Sequence, residues 1–296
     1  MTFSWLKGHG TENDFLLLPD HDGTIHGDLD HVFVAGLCNR RRGIGADGVL
    51  RVIRSAALGI DDGSEWFMDY RNADGSISEM CGNGVRVFAL HLQQEGLVDA
   101  SEPVHIGTRG GVKIVTFDPS LPHGLRPREV PPGSGQAAGF ISVDMGVPDV
   151  LGTSKVQVDD HVWEAQHIET GNPHAVVFVD DLGQAGSLLE EPEYDAVTYP
   201  NGVNIEFGVR TGDHQVAMRV HERGSGETRS CGTGACAVGA AVALADAALA
   251  DEAELPVTYR IDVPGGTVHV TWREDKHLIL AGPAEINARG EMEWLG

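Results

Sequence analysis

The strongest constraint on how this chain can fold is a pattern that occurs twice in the same order. Residues 78–90 read SEMCGNGVRVFAL and residues 229–240 read RSCGTGACAVGA, so Cys81 and Cys231 each begin a Cys-Gly-x-Gly segment that continues into small and apolar residues. Three other segments repeat with them. They are an Asn before an apolar run (13–18 and 172–179), a Gly-Val pair that begins a run of alternating apolar and polar residues (48–54 and 202–210), and a Gly-Gly turn before a strand-like run (109–117 and 264–272). The offsets are 159, 154, 150 and 155 positions, which predicts an internal duplication of two similar halves.

Each half is predicted to be β-rich and built around one helix. Short runs with strand-like alternation, such as EWFMDYR and VKIVTF, lie between turn residues, and long helical segments are few. Two helices are expected directly after the Cys-Gly-x-Gly starts. Gly96 is placed to end the first, and the second is rich enough in Ala to be buried on all sides. We therefore expect an α+β fold of two pseudo-symmetric halves, each a mixed, mostly antiparallel β-sheet or barrel wrapped around a central helix.

The boundary between the halves is expected in the stretch 119–139, which is rich in Pro, Gly and Ser. This gives an N-terminal half of residues 1–130, to which residues 277–296 return, and a C-terminal half of residues 131–276. Duplicated halves usually pack about an approximate twofold axis. That arrangement would place the two helix starts face to face, with the active site in the cleft between the halves.

Composition excludes several classes of function. A net charge of −23 is unlike the basic surface that nucleic acids require, and the chain has no run of about 18 apolar residues to span a membrane. The N-terminus has no secretory signal pattern, so a cytoplasmic location is expected. The four cysteines form neither a C-x-x-C pair nor a zinc-like spacing, so no metal site is predicted, and Cys38 is expected to be a small buried residue.

The two Cys-Gly-x-Gly segments indicate acid-base chemistry. The first turn of a helix carries unpaired N–H groups and a partial positive charge, which favour a thiolate and a bound carboxylate. We therefore expect a lowered pKa for both thiols. Two thiols on opposite faces of one carbon can remove a proton from one side and return a proton to the other. That reaction is a racemisation or an epimerisation.

Longer motifs connect this pattern to a known family. YRNADGSISEMCGNG, TGNPHAV and HERGSGETRSCGTGA closely resemble diaminopimelate epimerases, pyridoxal-independent enzymes that link LL- and meso-diaminopimelate in lysine and peptidoglycan precursor biosynthesis. The likeness covers essentially the whole chain, although residues 10–13 read GTEN where the family often has Gly-Leu-Gly-Asn. The resemblance implies a small-molecule substrate, epimerisation by a thiolate and a thiol without metal or organic cofactor, and a homodimer.

The resemblance also implies roles for individual residues. Cys81 and Cys231 would be the acid-base pair, with Cys81 facing the LL isomer, and His174 and Glu222 would help to draw protons from the thiols. Two further sets would bind the substrate. The distal amino-acid end would be recognised by Asn13, Asn72, Asn172, Asn204 and Arg223, and the α-carboxylate at the reacting end would meet N–H groups of Gly82, Asn83, Gly232 and Thr233.

Three alternatives compete with this interpretation. A proline-type racemase would keep both cysteines but change the distal pocket, and the Asn set with Arg223 argues instead for a long substrate. An isomerase of the phenazine-biosynthesis type would share the architecture without relying on paired thiols. A duplicated β-rich binding protein without catalytic activity would leave both cysteines without a role.

Overall fold

The computed structural model of the chain describes residues 2–118, 140–250 and 255–294. The chain divides into two compact units, Met1–Val143 with Gly282–Gly296, and Asp144–Ala281. The stretch 119–139, where the sequence places the boundary, lies outside the described residues.

Strands make up most of both units. The helices are α1 (His31–Cys38), α2 (Gly82–Gln94) and α3 (Gly232–Ala250). The strands of the first unit begin with β1 (Thr2–Gly10), β2 (Asn13–Pro19), β3 (Gly48–Arg54), β4 (Trp66–Asn72), β5 (Val104–Gly107), β6 (Lys113–Asp118) and β7 (Phe140–Gly146), whose last three residues belong to the second unit. Those of the second unit are β8 (Asp149–Val158), β9 (His161–Glu169), β10 (Pro173–Phe178), β11 (Glu193–Tyr194), β12 (Asn204–Gly212), β13 (Gln215–Glu222), β14 (Gly226–Glu227), β15 (Val257–Val263), β16 (Gly266–Trp272) and β17 (Leu278–Gly282), after which β18 (Glu285–Glu293) returns to the first unit.

The first unit has one continuous order of paired strands, β18-β1-β2-β3-β4-β5-β6-β7. Strand β1 lies antiparallel to both β18 and β2, and β2 then pairs in parallel with β3, with Phe15 opposite Gly48. Strands β3 and β4 are antiparallel, β4 and β5 are parallel, and β5, β6 and β7 follow in antiparallel order. Parallel and antiparallel pairs thus mix within one sheet.

The second unit repeats this order with β8-β9-β10-β12-β13-β15-β16. Its first pairs are antiparallel, and β10 then pairs in parallel with β12, with His174 opposite Asn204. An antiparallel pair, a parallel pair and an antiparallel pair follow, as in the first unit. Strands β2, β3 and β6 correspond to β10, β12 and β16, the elements in which the sequence repeats. The predicted α+β fold with two pseudo-symmetric halves is confirmed.

Each unit has a central helix that packs against several strands of its sheet. Helix α2 contacts β1 to β5 and β18, and α3 contacts β9, β10, β12, β15 and β16. Residues Gly82 to Leu92 of α2 are all buried, because the sheet surrounds the helix. The helix ends near Glu95, and Gly96 adopts the positive φ of 65° that such an end favours. None of the helices in the described ranges is long and apolar enough to cross a membrane.

Candidate active site

Cys81 and Cys231 occupy the same position in their units, immediately before the first turn of the central helix. The Sγ of Cys81 accepts the Gly84 N–H at 3.5 Å, and its carbonyl oxygen accepts the first helical hydrogen bond, from the Val85 N–H at 2.9 Å. At Cys231 the Gly234 N–H donates to Sγ at 3.3 Å, and the Ala235 N–H donates to the carbonyl at 2.9 Å. Each sulfur therefore lies against the unpaired N–H groups of a helix N-terminus.

In the first unit, Asn13 and Asn83 lie beside Cys81. The Cys81 thiol donates to Asn13 Oδ1 at 3.6 Å, and Asn83 Nδ2 donates to the same oxygen at 3.2 Å. Asn83 is fully buried, and its own Oδ1 accepts a hydrogen bond from Arg86 at 2.9 Å. The structure thus brings three predicted site residues together around one carbonyl oxygen.

A carboxylate that the sequence analysis did not select holds Asn13 in place. The Asn13 amide donates to Asp47 Oδ2 at 2.9 Å, and Arg40 donates to Asp47 Oδ1 at 2.7 Å. Arg40 also binds both oxygens of Asp14, at 2.9 and 2.6 Å. Burial acts to raise the pKa of Asp14, but hydrogen bonds from Arg40 and Lys7 lower it to about 2. Asp47 lies in the segment RRGIGADG (41–48) and directly precedes β3, the parallel neighbour of the strand that carries Asn13.

In the second unit, His174 has hydrogen-bond partners at both ring nitrogens. Nδ1 lies 2.7 Å from Glu206 Oε1, and Nε2 lies 2.9 Å from Asn172 Oδ1. His174 and Glu206 are both fully buried. Sequence analysis missed Glu206 because it stands in an apolar run, NIEFGV. The signal was an acidic residue within a strand that is otherwise built to be buried.

The pKa of Cys231 is shifted in the direction opposite to that expected from the sequence. Burial raises it well above the usual thiol value, and the charges of Glu222 and Glu206 raise it further. The hydrogen bonds from Thr233 and the Gly234 N–H act to lower it but do not compensate. The prediction of a lowered pKa was therefore wrong for this thiol, because it considered the helix terminus without the depth of burial. Cys231 is 6% exposed, and its raised pKa favours the thiol over the thiolate.

Other predicted residues of the second unit lie around this thiol and along the neighbouring strand ends. Thr233 Oγ1 is 3.4 Å from Cys231 Sγ, and the Thr228 hydroxyl donates a hydrogen bond to Glu222. Arg223 is exposed, and its backbone N–H donates a hydrogen bond to Asn204 Oδ1 at 2.9 Å. These contacts place Thr233 with Cys231 and place Arg223 with Asn204.

The remaining predicted residues have simpler positions. Gly82 and Gly232 are the buried first residues of α2 and α3. Asn72 ends β4 and donates to Ser76 Oγ at 3.0 Å, so its side chain is held within its own turn. Among the described residues, no group of three or more His, Cys, Asp or Glu side chains could hold a metal ion.

Solved structures identify the fold. A phenazine biosynthesis protein of the PhzF family from Bacillus anthracis aligns with a TM-score of 0.68 over 99% of this chain and 100% of its own, at 16% sequence identity. At that identity the likeness concerns the fold. The chain thus has the same fold as that protein. In this chain a Cys-Gly-x-Gly segment begins the central helix of each unit.

Sequence relatives identify the family. The family model described as Diaminopimelate epimerase matches residues 5–120 and 167–287. A diaminopimelate epimerase of Streptomyces coelicolor is 49% identical over 99% of this chain and 96% of its own length, and one of Corynebacterium glutamicum is 44% identical over 99% of both. The chain belongs to the diaminopimelate epimerase family. The resemblance found in the sequence is confirmed, and the chain is an isomerase of the racemase and epimerase class.

Proposed function

We propose that this protein converts LL-diaminopimelate to meso-diaminopimelate without a cofactor, using Cys81 and Cys231 as base and acid. The observation that carries the proposal is the matched position of the two thiols, each against the N–H groups of a buried helix start. Membership of the family supports the choice of substrate.

The reaction requires one thiolate and one thiol on opposite faces of the α-carbon. In the LL to meso direction, the Cys81 thiolate takes the α-proton and becomes a thiol, and the electron pair of the broken C–H bond stays on the substrate as a carbanion. The Cys231 thiol then gives its proton to the other face and becomes a thiolate. The raised pKa of Cys231 supports this division, because it keeps that sulfur protonated until the carbanion forms.

Backbone N–H groups and side chains supply the rest of the chemistry. Negative charge that develops on the α-carboxylate would be stabilised by the N–H groups at Gly82, Asn83, Gly232 and Thr233. His174 and Glu222 would assist proton transfer at the thiols. The distal amino-acid end would be bound by Asn13, Asn72, Asn172, Asn204 and Arg223, where a mismatched stereocentre would leave polar groups unpaired.

Three further expectations follow from the family and stay predictions. They are a place in lysine and peptidoglycan precursor biosynthesis, a cytoplasmic location and a homodimer.

The proposal is tested by mixing reduced protein and LL-diaminopimelate in D2O without added cofactor and recording proton NMR spectra. We expect one α-proton signal to disappear while the meso isomer forms, because the returning hydrogen comes from a solvent-exchanged thiol. Cys81→Ala and Cys231→Ala should each abolish the conversion. The control is Cys38→Ala, since Cys38 is the buried last residue of α1 and burial raises the pKa of its thiol to about 12.

Two results would contradict the proposal. Absence of exchange in folded wild-type protein with free thiols would exclude this substrate. Full activity of either cysteine variant would exclude the two-thiol mechanism.

A further inference from the structure

We propose that Glu206 is a positioning residue that fixes one proton on Nδ1 of His174, so that Nε2 is the nitrogen that exchanges a proton during catalysis. The catalytic role of this fixed proton rests on the proposed function. The proton position itself is a property of the second unit, and it is testable without turnover.

The hydrogen bond between the two side chains determines which ring nitrogen of His174 carries the hydrogen. His174 Nδ1 and Glu206 Oε1 are 2.7 Å apart, the length of a charge-assisted hydrogen bond. Neither residue is exposed, so water does not compete for the proton. A carboxylate accepts but cannot donate, so with Glu206 ionised Nδ1 carries the hydrogen. A carboxylate in this position also selects the tautomer of the ring.

The other nitrogen has a partner that suits either protonation state. Nε2 lies 2.9 Å from the side-chain amide of Asn172. When Nε2 is protonated it donates to the amide oxygen, and when it is not, the amide can turn and donate its NH2 group instead. His174 can thus gain or lose a proton at Nε2 without losing a hydrogen bond. At Nδ1 the carboxylate allows no such exchange.

Helix α3 fixes the position of the carboxylate. A Cβ atom built on Gly234 would lie 2.5 Å from Glu206 Oε1 and 3.3 Å from the Cβ of Cys231. The Glu206 carboxylate therefore packs between the His174 ring and the first turn of α3, which follows Cys231. Its charge already acts on that thiol, as the raised pKa of Cys231 indicates.

Stability does not account for an acidic side chain at this position. Within the described part of the chain, Oε2 of Glu206 is buried and has no hydrogen-bond partner. A buried carboxylate with a bare oxygen destabilises a fold, and Gln would fill nearly the same volume without the charge. The carboxylate is thus explained by its action on the imidazole.

The direct test is NMR of the imidazole protons and nitrogens in wild-type protein, Glu206→Gln and Glu206→Leu. We expect a downfield Nδ1 proton for His174 in the wild type. It should move upfield in Glu206→Gln and vanish in Glu206→Leu. An unchanged resonance in Glu206→Gln, or a wild-type ring protonated at Nε2 alone, would overturn the assignment.

Kinetics test whether the fixed proton matters for turnover. We expect Glu206→Gln to lower kcat about 10- to 100-fold, the usual effect of losing an outer partner of a functional histidine, with little change in KM or thermal stability. In a His174→Phe background the same substitution should have no further effect, because Glu206 acts through His174. Asp246→Asn is the control, since this carboxylate of the second unit binds Tyr259 and Arg210 near the other end of α3.

The outcomes separate the two proposals. An active wild type with unchanged kcat in Glu206→Gln, or with an equal loss in the His174→Phe background, would refute the role of Glu206. A wild type without epimerase activity would refute the proposed function, and the NMR result would still decide where the His174 proton lies.

Discussion

At Cys231 the helix N-terminus and the surrounding side chains act on the thiol in opposite directions. The Gly234 N–H favours the thiolate, whereas burial and two nearby carboxylates favour the thiol and dominate. A sequence reveals that a cysteine begins a helix, but it does not reveal how deeply the sulfur is buried. A Cys-Gly-x-Gly helix start can therefore hold a thiol whose pKa is raised and not lowered, and at Cys231 this favours the protonated form.

Asp47 provides the test of how the first unit orients its polar groups. Replacing it by Asn removes the charge that binds Arg40 and the fixed acceptor for the Asn13 amide, so the Asn13 oxygen is no longer held towards Cys81. We expect kcat/KM for diaminopimelate to fall about tenfold, the lower end of the effect of losing a supporting hydrogen bond.

Steady-state kinetics of Asp47→Asn measure this effect, with thermal melting to verify the fold. Asp61→Asn is the matched control, because Asp61 is an exposed carboxylate of the same unit. Equal kcat/KM in Asp47→Asn and wild type would show that Asn13 needs no support.

The two helix starts differ in how tightly their third residue is packed. At Gly84 in α2, an added Cβ would meet Leu50 at 3.3 Å and Cys81 at 3.4 Å, contacts that small side-chain movements can relieve. At Gly234 in α3, the same atom would lie 2.5 Å from Glu206 Oε1. The α3 start therefore depends on glycine to admit the carboxylate, and the α2 start does not.

Gly234→Ala is accordingly expected to displace Glu206 from His174. We predict at least a tenfold loss of kcat, in line with loss of a supporting partner of a functional histidine, together with an altered His174 Nδ1 proton resonance. Gly84→Ala should lower kcat clearly less than Gly234→Ala. A result in which both variants lose the same activity would mean that the loss reflects the helix starts in general and not the Glu206 contact.

Repeated elements were predictable from the sequence, and unrepeated elements were less so. The two central helices and the strands β2, β3, β6, β10, β12 and β16 were found because alternation and duplication agreed. Helix α1 was missed, since HVFVAGLC has no polar face and its start depends on the capping of two N–H groups by Asp30. Strand β8 was missed because its first five residues are exposed and follow no alternation.

The same limit applies to the site. The cysteines and the asparagines stand in motifs, so a single sequence is enough to select them as candidates. Asp47 and Glu206 act through parallel strand pairs, β2 with β3 and β10 with β12, and a single sequence does not reveal which strands pair. Both missed carboxylates thus lie where tertiary pairing determines which side chains meet.

At the scale of the whole molecule, duplication has kept the framework and changed the chemistry around it. Both units place a cysteine before a buried helix. Both also supply a carboxylate next to the strand that carries the site residue: Asp47 directly precedes β3, the parallel neighbour of β2, and Glu206 lies in β12, the parallel neighbour of β10. In the first unit that carboxylate orients an amide, Asn13. In the second it orients an imidazole, His174. The framework therefore explains why two thiols are presented alike, and the substituted partners explain how they can differ in role.

Buried histidines make the stability of the molecule depend on acid pH. Burial lowers the pKa of His91 in the first unit and of His269 in the second to about 4. Unfolded histidine titrates near 6.5, so between pH 6.5 and 4 the unfolded chain binds protons that the folded chain does not. Stability is full above pH 6.5 and falls as the pH decreases through this window, by about 1.4 kcal/mol per pH unit for each such histidine.

His91→Leu is expected to remove one histidine's share of this dependence. Urea unfolding at intervals from pH 7 to pH 4.5 should give a slope of unfolding free energy against pH that is flatter than wild type by about 1.4 kcal/mol per pH unit. His105→Leu is the matched control, because His105 is a histidine of the same unit that is exposed on β5. If His91→Leu kept the wild-type slope, His91 would have to be protonated in the folded protein. It would then need a charged or hydrogen-bonding partner, because an imidazolium at 3% exposure cannot rely on water.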